Sequence, residues 1–148
     1  MKSTNSMVSI KIIELPKNLP LKGDLYNQHC PSRHISKHIS SLWGLAVLRI
    51  LKDNSTLRFS GLKISIEGIS DKMLSQTLRN LERDGMLQRQ NYQLTPPKVE
   101  YSLTLLGNEC ADKLIPLCEF IEDKMNAVVL NQMKYDESPT VAEWQIVK

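Results

Sequence analysis

The chain has 148 residues, enough for one compact domain but short for two independent cores. Its apolar fraction of 41% and charged fraction of 24% are typical of a folded protein, and its net charge of +3 is compatible with a nucleic-acid partner without requiring one. No apolar run approaches the roughly 18 residues that span a bilayer, and the first residues lack a secretory pattern, so we expect a cytoplasmic protein without membrane contact.

The first 29 residues predict an N-terminal arm. Val8 to Leu15 alternates partly, as a short strand does, before Pro16 and Pro20 interrupt the pattern. We therefore expect an arm over residues 1–29, a single folded domain over 30–134 and a polar tail over 135–148.

A first helix is predicted after Pro31, which suits the first turn of a helix because its missing N–H costs nothing there. The cluster Asp53-Asn54-Ser55 favours a turn, so this helix should run without a break to about Lys52. Its apolar residues recur at steps of three and four, namely Ile35, Ile39, Leu42, Ala46 and Ile50.

Two further helices follow, separated by a tight turn. Phe59, Leu62 and Ile66 share one face of a short helix, and Glu67-Gly68-Ile69 then forms the turn. Ser70 is a good N-cap for the next helix, which Asp84-Gly85 ends. This third helix is amphipathic: Leu74, Leu78 and Leu81 form an inward stripe, and Lys72, Gln76, Arg79 and Arg83 lie roughly opposite.

A hairpin and a long helix complete the domain. Met86 to Tyr92 and Lys98 to Leu103 are two β-prone runs joined by a loop that contains two prolines. Thr104 can cap a final helix of about two dozen residues, in which Pro116 predicts a kink or break. The apolar positions of that helix include Leu105, Leu106, Leu114, Leu117, Ile121, Met125 and Val128.

The fold class predicted from this order is mainly α with a small β-hairpin wing, as in a winged helix-turn-helix, whose helix after the turn enters the DNA major groove. Glutamine can pair with adenine and arginine with guanine, so Ser75, Gln76 and Arg79 are candidate base contacts. Charged side chains at the helix ends and on the hairpin are candidate phosphate contacts, namely Lys72, Arg83, Arg89 and Lys98. From the charge pattern alone, a merely solvated helix face explains these residues as well.

A series of short motifs runs from roughly Cys30 to Met125. In chain order they are Cys30-Pro31, Trp43, Leu48-Arg49, Arg58-Phe59, Gly68-Ile69-Ser70, Met73-Leu74, Leu78, Leu81, Glu82-x-Asp84-Gly85, Pro96-Pro97-x-Val99-Glu100-Tyr101-Ser102-Leu103-Thr104 and Leu106-Gly107. In this order the motifs resemble those of the HxlR-type transcriptional regulators. The sequence departs from that family at Leu42, where the family has a basic residue before the tryptophan, and at Gly61, where the family has an acidic residue after the phenylalanine.

The resemblance implies a dimeric repressor or activator whose first and last helices build the dimer interface. We predict a homodimer that binds a pseudo-palindromic operator on duplex DNA, as a repressor, and that is not an enzyme. Independently of the family, the last helix carries more apolar positions than a small winged core needs, and this surplus favours a partner.

Cys30 precedes the first helix, where the helix dipole would lower the pKa of its thiol and raise its reactivity. Some regulators of the resembled family sense oxidants or electrophiles through that cysteine, and we hypothesise the same here, against the alternative of an unreactive thiol. Cys110 and Cys118 are candidate resolving partners but are more simply explained as small buried residues. They cannot pair within one helix, because eight residues rise about 12 Å and a disulfide spans roughly 7 Å.

Other functions have weaker support in the sequence. His34 and His38 lie one helical turn apart near His29 and Cys30, but further ligands at metal spacing are lacking, so we predict no metal and no cofactor. No phosphate-binding loop, dinucleotide fingerprint or nucleophile elbow is present. Two alternatives remain: a winged-helix module that binds protein rather than DNA, and a regulator that binds a small-molecule effector between dimer helices without thiol chemistry.

Overall fold

The computed structural model describes residues 22–136, which hold six helices and three strands. The predicted strand at 8–15 and most of the predicted tail lie outside the described residues, so the division into arm, domain and tail stays a prediction. In chain order the elements are α1 (Ser32–Ser40), α2 (Leu42–Asn54), β1 (Thr56–Leu57), α3 (Phe59–Ser65), α4 (Asp71–Arg83), β2 (Leu87–Tyr92), β3 (Lys98–Leu103), α5 (Leu105–Asp123) and α6 (Met125–Asp136).

The prediction of one unbroken helix from Pro31 to Lys52 is wrong, because the chain breaks at Ser41. The backbone of Ser41 is extended, and its hydroxyl oxygen accepts from the Gly44 N–H at 3.0 Å, capping α2. The two helices meet so closely that a Cβ on Gly44 would lie 2.0 Å from the backbone oxygen of His38. In the sequence the apolar positions recur at helical steps across this corner, so periodicity alone does not reveal it, although Leu42 in that pattern is 68% exposed.

The predicted pair of helices and their turn are confirmed as α3 and α4. The Ser70 hydroxyl accepts from the Met73 N–H at 3.1 Å, as an N-cap does. Gly68 in the turn has a φ of 81°, a conformation that glycine adopts without strain. Lys63 on α3 donates to the backbone oxygen of Ile69 and lies 3.5 Å from the Asp71 carboxylate, so it links the two helices across the turn.

One hydrophobic core holds α2, α3 and α4 against the sheet. Its largest fully buried side chains come from three helices: Val47, Leu48 and Leu51 on α2, Leu62 on α3, and Leu74, Leu78 and Leu81 on α4. The inward stripe predicted for the third helix is therefore buried as expected. This packing fixes the rotation of α4 about its own axis, which determines the side chains that it presents to solvent.

The hairpin is confirmed as β2 and β3, and β1 adds a short third strand in the order β1-β3-β2. Arg89 pairs with Tyr101 and Tyr92 with Lys98 in the antiparallel register. Because successive side chains of a strand point to opposite faces, Arg89 and Tyr101 share the face of the buried Leu87, and Lys98 lies on the other face. Strand β1 was not predicted from the sequence, since two residues carry no readable alternation.

The sequence predicts a kink or break at Pro116, and the structure shows no break there. Helix α5 continues through Pro116, and the chain breaks at Lys124, between α5 and α6. A proline removes one helical hydrogen bond from the backbone oxygen four residues earlier, which is that of Asp112. Both Pro116 and Asp112 are exposed, so water can satisfy that oxygen and the helix continues.

A tight joint connects the hairpin to α5. The Thr104 side chain caps α5 by accepting from the Gly107 N–H, and its hydroxyl donates to the Gly85 oxygen at 2.5 Å. The Thr104 N–H donates to the Met86 oxygen. A Cβ on Gly107 would lie 1.9 Å from that same oxygen, so the start of α5 rests directly on the backbone that leads into β2.

Candidate nucleic-acid interface

A polar strip runs along the exposed side of α4. Lys72, Gln76, Arg79 and Arg83 form this α4 strip, and all four are exposed. At 3.6 residues per turn their directions cluster about half a turn away from the buried leucines. The burial of the leucines thus leaves these four side chains facing solvent, as the sequence predicted.

An open cleft of about 410 Å³ lies between α4 and the hairpin, on one side of the strip. This wing cleft brings together three of the predicted DNA contacts, Ser75, Arg79 and Arg89, which come from two separate elements. It is lined by Ser75, Leu78, Arg79, Glu82, Arg89 and Tyr101. The hydroxyl and the two guanidinium groups therefore border a common opening next to the base-reading candidates.

The cations around α4 are available to an external anion. Within residues 22–136, no carboxylate oxygen lies within 4 Å of the charged nitrogens of Lys72, Arg79, Arg83 or Arg89. The Arg79 Nε donates to the Ser75 backbone oxygen at 3.3 Å, and the Gln76 amide donates to Asn80 at 2.9 Å. These bonds lie on an exposed surface, where exchange for bonds to DNA costs little net free energy.

Lys98 is placed differently from the other candidates. Its ammonium lies 2.8 Å from the Glu100 carboxylate and 4.9 Å from the centre of the Tyr92 ring, on the face of the hairpin opposite Arg89. The hydrogen bond from Lys98 lowers the pKa of the Glu100 carboxyl below its usual value. Phosphate binding by Lys98 stays a prediction, and it would compete with this ion pair.

Cys30 lies just before α1, where residues 24–30 fold around its sulfur. The Asp24 N–H donates to Sγ at 3.3 Å and the Ser32 hydroxyl donates at 3.1 Å. These two bonds, that from Asp24 foremost, lower the pKa of the Cys30 thiol. Burial instead raises the pKa of the Cys110 thiol. Both Cys110 and Cys118 are on α5, as predicted.

Two side chains of the wing cleft were missed by sequence reasoning. Glu82 lies one turn beyond Leu78 and two turns beyond Ser75 on the same flank of α4, and Tyr101 is the partner of Arg89 across the hairpin. A carboxylate at this position can accept a hydrogen bond from the amino group of cytosine. Tyr101 could have been predicted as a cleft residue only if the hairpin loop had fixed the pairing register of β2 and β3.

Helix, turn, helix and two-stranded wing are arranged around one exposed polar helix, and this arrangement defines a winged helix-turn-helix protein. The predicted fold class, mainly α with a small β wing, is confirmed. Within the part of the chain that the structure describes, no helix is both long and apolar enough to cross a membrane.

The chain belongs to the HxlR-like helix-turn-helix family, whose model matches residues 38–143. The resemblance predicted from the sequence is thereby confirmed. The chain is 46% identical to the HTH-type transcriptional regulator YtfH of Escherichia coli over 101 residues, which cover 68% of this chain and 79% of that protein.

Two solved structures are similar to this fold. The transcriptional regulator YtfH of Salmonella typhimurium is 44% identical with a TM-score of 0.71, and the match covers 75% of this chain and 98% of that one. The redox regulator HypR in its reduced form is 30% identical with a TM-score of 0.60, covering 66% of this chain and 96% of that one. The protein is thus a transcriptional regulator of the helix-turn-helix type.

Proposed function

We propose that this protein is a homodimeric repressor that reads an operator through the α4 strip and grips the flanking backbone with the wing. The observation that carries the proposal is the wing cleft, where Arg79 of α4 and Arg89 of the hairpin border one opening without a carboxylate partner among the described residues. Arginines in such a position suit the guanine edge and the phosphate next to it.

The helices after the wing support dimerisation. Helices α5 and α6 expose large apolar side chains that one winged domain leaves uncovered, and adjacent exposed side chains of this kind mark an interface. They are Leu105, Leu106, Leu117, Phe120, Ile121, Val128 and Leu130. A second copy of the chain, related by a twofold axis, would cover this face and present two α4 strips to a pseudo-palindrome.

The environment of Cys30 supports thiol sensing as the control of DNA binding. Donors to Sγ stabilise the thiolate, which is the form that electrophiles and oxidants attack. The similar structure HypR is described as a redox regulator, which agrees with this assignment. An oxidant or electrophile would therefore be the effector, and Cys30 its target.

Arg79→Ala is expected to weaken binding to the preferred duplex by about 1–3 kcal/mol, because it removes a bidentate base contact. The preferred duplex is first selected from a random pool with the wild-type protein. Affinities are then measured for this duplex and for an unrelated one, with Arg83→Ala as the matched control. Arg79→Ala should lower the ratio of the two affinities, whereas Arg83→Ala should weaken both duplexes equally.

Equal loss on both duplexes for Arg79→Ala would show that this side chain binds phosphate instead of reading bases. If the wild-type protein retains no duplex even at low salt, the DNA-binding proposal itself fails. A protein-binding winged module would then be the function to pursue, since contacts that are mainly apolar do not weaken steeply as salt rises.

Cys30 is expected to be alkylated first of the three thiols at neutral pH, because its lowered pKa gives it the larger thiolate fraction. Mass-resolved labelling over a pH series should show the Cys30 rate levelling off at lower pH than that of Cys110, whose pKa is raised. Ser32→Ala removes one donor to Sγ and should slow Cys30 at neutral pH, whereas Ser36→Ala, one turn further on, should not. Equal slow labelling of all three thiols would refute the proposal that Cys30 is a thiol sensor.

A further inference from the structure

A second, smaller cleft flanks the α4 strip on the side away from the wing. Its volume is about 190 Å³, and it lies between α4 and the corner where α1 meets α2. Four side chains come from the corner and four from α4: Lys37, His38, Ser41 and Trp43, then Met73, Gln76, Thr77 and Asn80. Gln76 belongs to both the corner cleft and the α4 strip, so this corner cleft opens beside a predicted base contact.

The helical periodicity fixes the relation between the two clefts. Four α4 residues line the wing cleft and point to one flank of the strip, namely Ser75, Leu78, Arg79 and Glu82. Four others line the corner cleft and point to the opposite flank, namely Met73, Gln76, Thr77 and Asn80. A duplex lying on the strip would therefore have one cleft on each side. The wing cleft has Arg89 as its outer cation, and the corner cleft has Lys37.

The charge of the corner cleft favours an anion. No carboxylate lines it, and the ammonium of Lys37, an exposed residue, has no carboxylate oxygen within 4 Å among residues 22–136. Asp84 lies next to His38, but its Oδ2 is 2.6 Å from the His38 Nδ1 and is thereby engaged. Helix α1 ends and helix α2 begins at this corner, so their opposed dipole ends leave the Lys37 ammonium as the positive charge of the cleft.

The size and shape of the cleft select the kind of anion. Pockets for drug-sized ligands hold roughly 300–1,000 Å³ and enclose most of the ligand. A half-open cleft of about 190 Å³ is smaller than that, and it suits a group that enters from outside while attached to something larger. A phosphate of a DNA strand next to the bases that Gln76 reaches has this character.

We propose that Lys37 binds a backbone phosphate of the duplex at the corner cleft, so that DNA is held on both flanks of α4. This inference rests on the proposed function and adds a contact from outside the helix-turn-helix and the wing. Lys37 is a positioning residue: by holding the backbone on the Gln76 side, it would fix the depth and angle at which α4 enters the groove.

Lys37→Gln tests this contact against Lys22→Gln, which removes an exposed lysine that lines neither cleft and lies outside α5 and α6. Affinities for the selected duplex and for an unrelated duplex are measured at several salt concentrations, and circular dichroism confirms that each variant is folded. Each lost phosphate contact should reduce the magnitude of the slope of log K against log salt by about 0.9, so a dimer that loses both Lys37 contacts should show a reduction of about 1.8. Lys37→Gln should show this change with both duplexes, Lys37→Arg should keep the wild-type slope, and Lys22→Gln should match the wild type.

Each other outcome counts against the proposal. A wild-type slope for Lys37→Gln means that Lys37 touches no phosphate, while the proposed function stands as long as the wild type binds DNA. A loss confined to the selected duplex would make Lys37 a base contact instead. If the wild type binds no duplex at all, the proposed function and the phosphate contact fail together.

Discussion

Gly107→Ala is expected to destabilise the protein by more than about 3 kcal/mol. The new Cβ would lie 1.9 Å from the Met86 oxygen and 2.9 Å from its carbonyl carbon, and neither backbone atom can move without breaking the joint between wing and α5. Thr104 bonds to both Gly85 and Met86 at this point, so the strain would spread to the end of α4. Urea unfolding of the variant measures the loss.

Gly61→Ala is the matched control for that experiment. A Cβ at Gly61 would meet only the Leu57 side chain, at 3.4 Å, and alanine is favoured over glycine inside a helix such as α3 by about 1 kcal/mol. The control should therefore be as stable as the wild type or more so. A Gly107→Ala protein that unfolds at the wild-type urea concentration would show that the joint yields easily.

Phe120→Asp is expected to convert the proposed dimer to monomers and to weaken operator binding by about 10²–10⁴-fold. Phe120 is 59% exposed in the single chain, so the change leaves the core intact, but in a twofold seam it would place two carboxylates in an apolar contact. Each monomer would then bind one half-site without the gain from its linked partner. Light scattering gives the mass, and titration of a full operator and of one half-site gives the affinities.

Ile64→Asp controls for the chemistry of that change. Ile64 on α3 is 85% exposed and lies far along the chain from α5, so an aspartate there should leave the oligomeric state unchanged. If Phe120→Asp stays dimeric, α5 is not the seam. If it becomes monomeric and still binds the full operator at wild-type strength, dimerisation is not needed for recognition.

The sequence predicted best those elements whose local signals agree with their packing. Helix α4 has a capping serine, a leucine stripe and a closing glycine turn, and all three indicate the same boundaries. The corner at Ser41 escaped prediction because the apolar positions recur through it, and the close approach of Gly44 to His38 that the corner requires has no signal in the periodicity. The proline at 116 does not break the helix, because at this exposed position water can replace the helical hydrogen bond that is lost.

The candidate site was predictable to the extent that it lies on one helix. The α4 strip follows from periodicity alone, whereas the clefts beside it depend on which elements pack against each flank. Arg89 and Lys98 looked equivalent in the sequence, and only the pairing register separates them onto opposite faces of the hairpin. Lys37 had no signal of its own, because its place beside Gln76 depends on the corner between α1 and α2.

The joint at Thr104 has a consequence for operator length. Because one set of backbone contacts joins the wing to α5, a rotation of α5 against the second copy in the proposed dimer would move the wing with it as a rigid body. The α5 seam, and not the helix-turn-helix, would then set the distance between the two α4 helices of the proposed dimer. Substitutions in that seam would change the preferred number of base pairs between half-sites and leave the sequence read within each half unchanged.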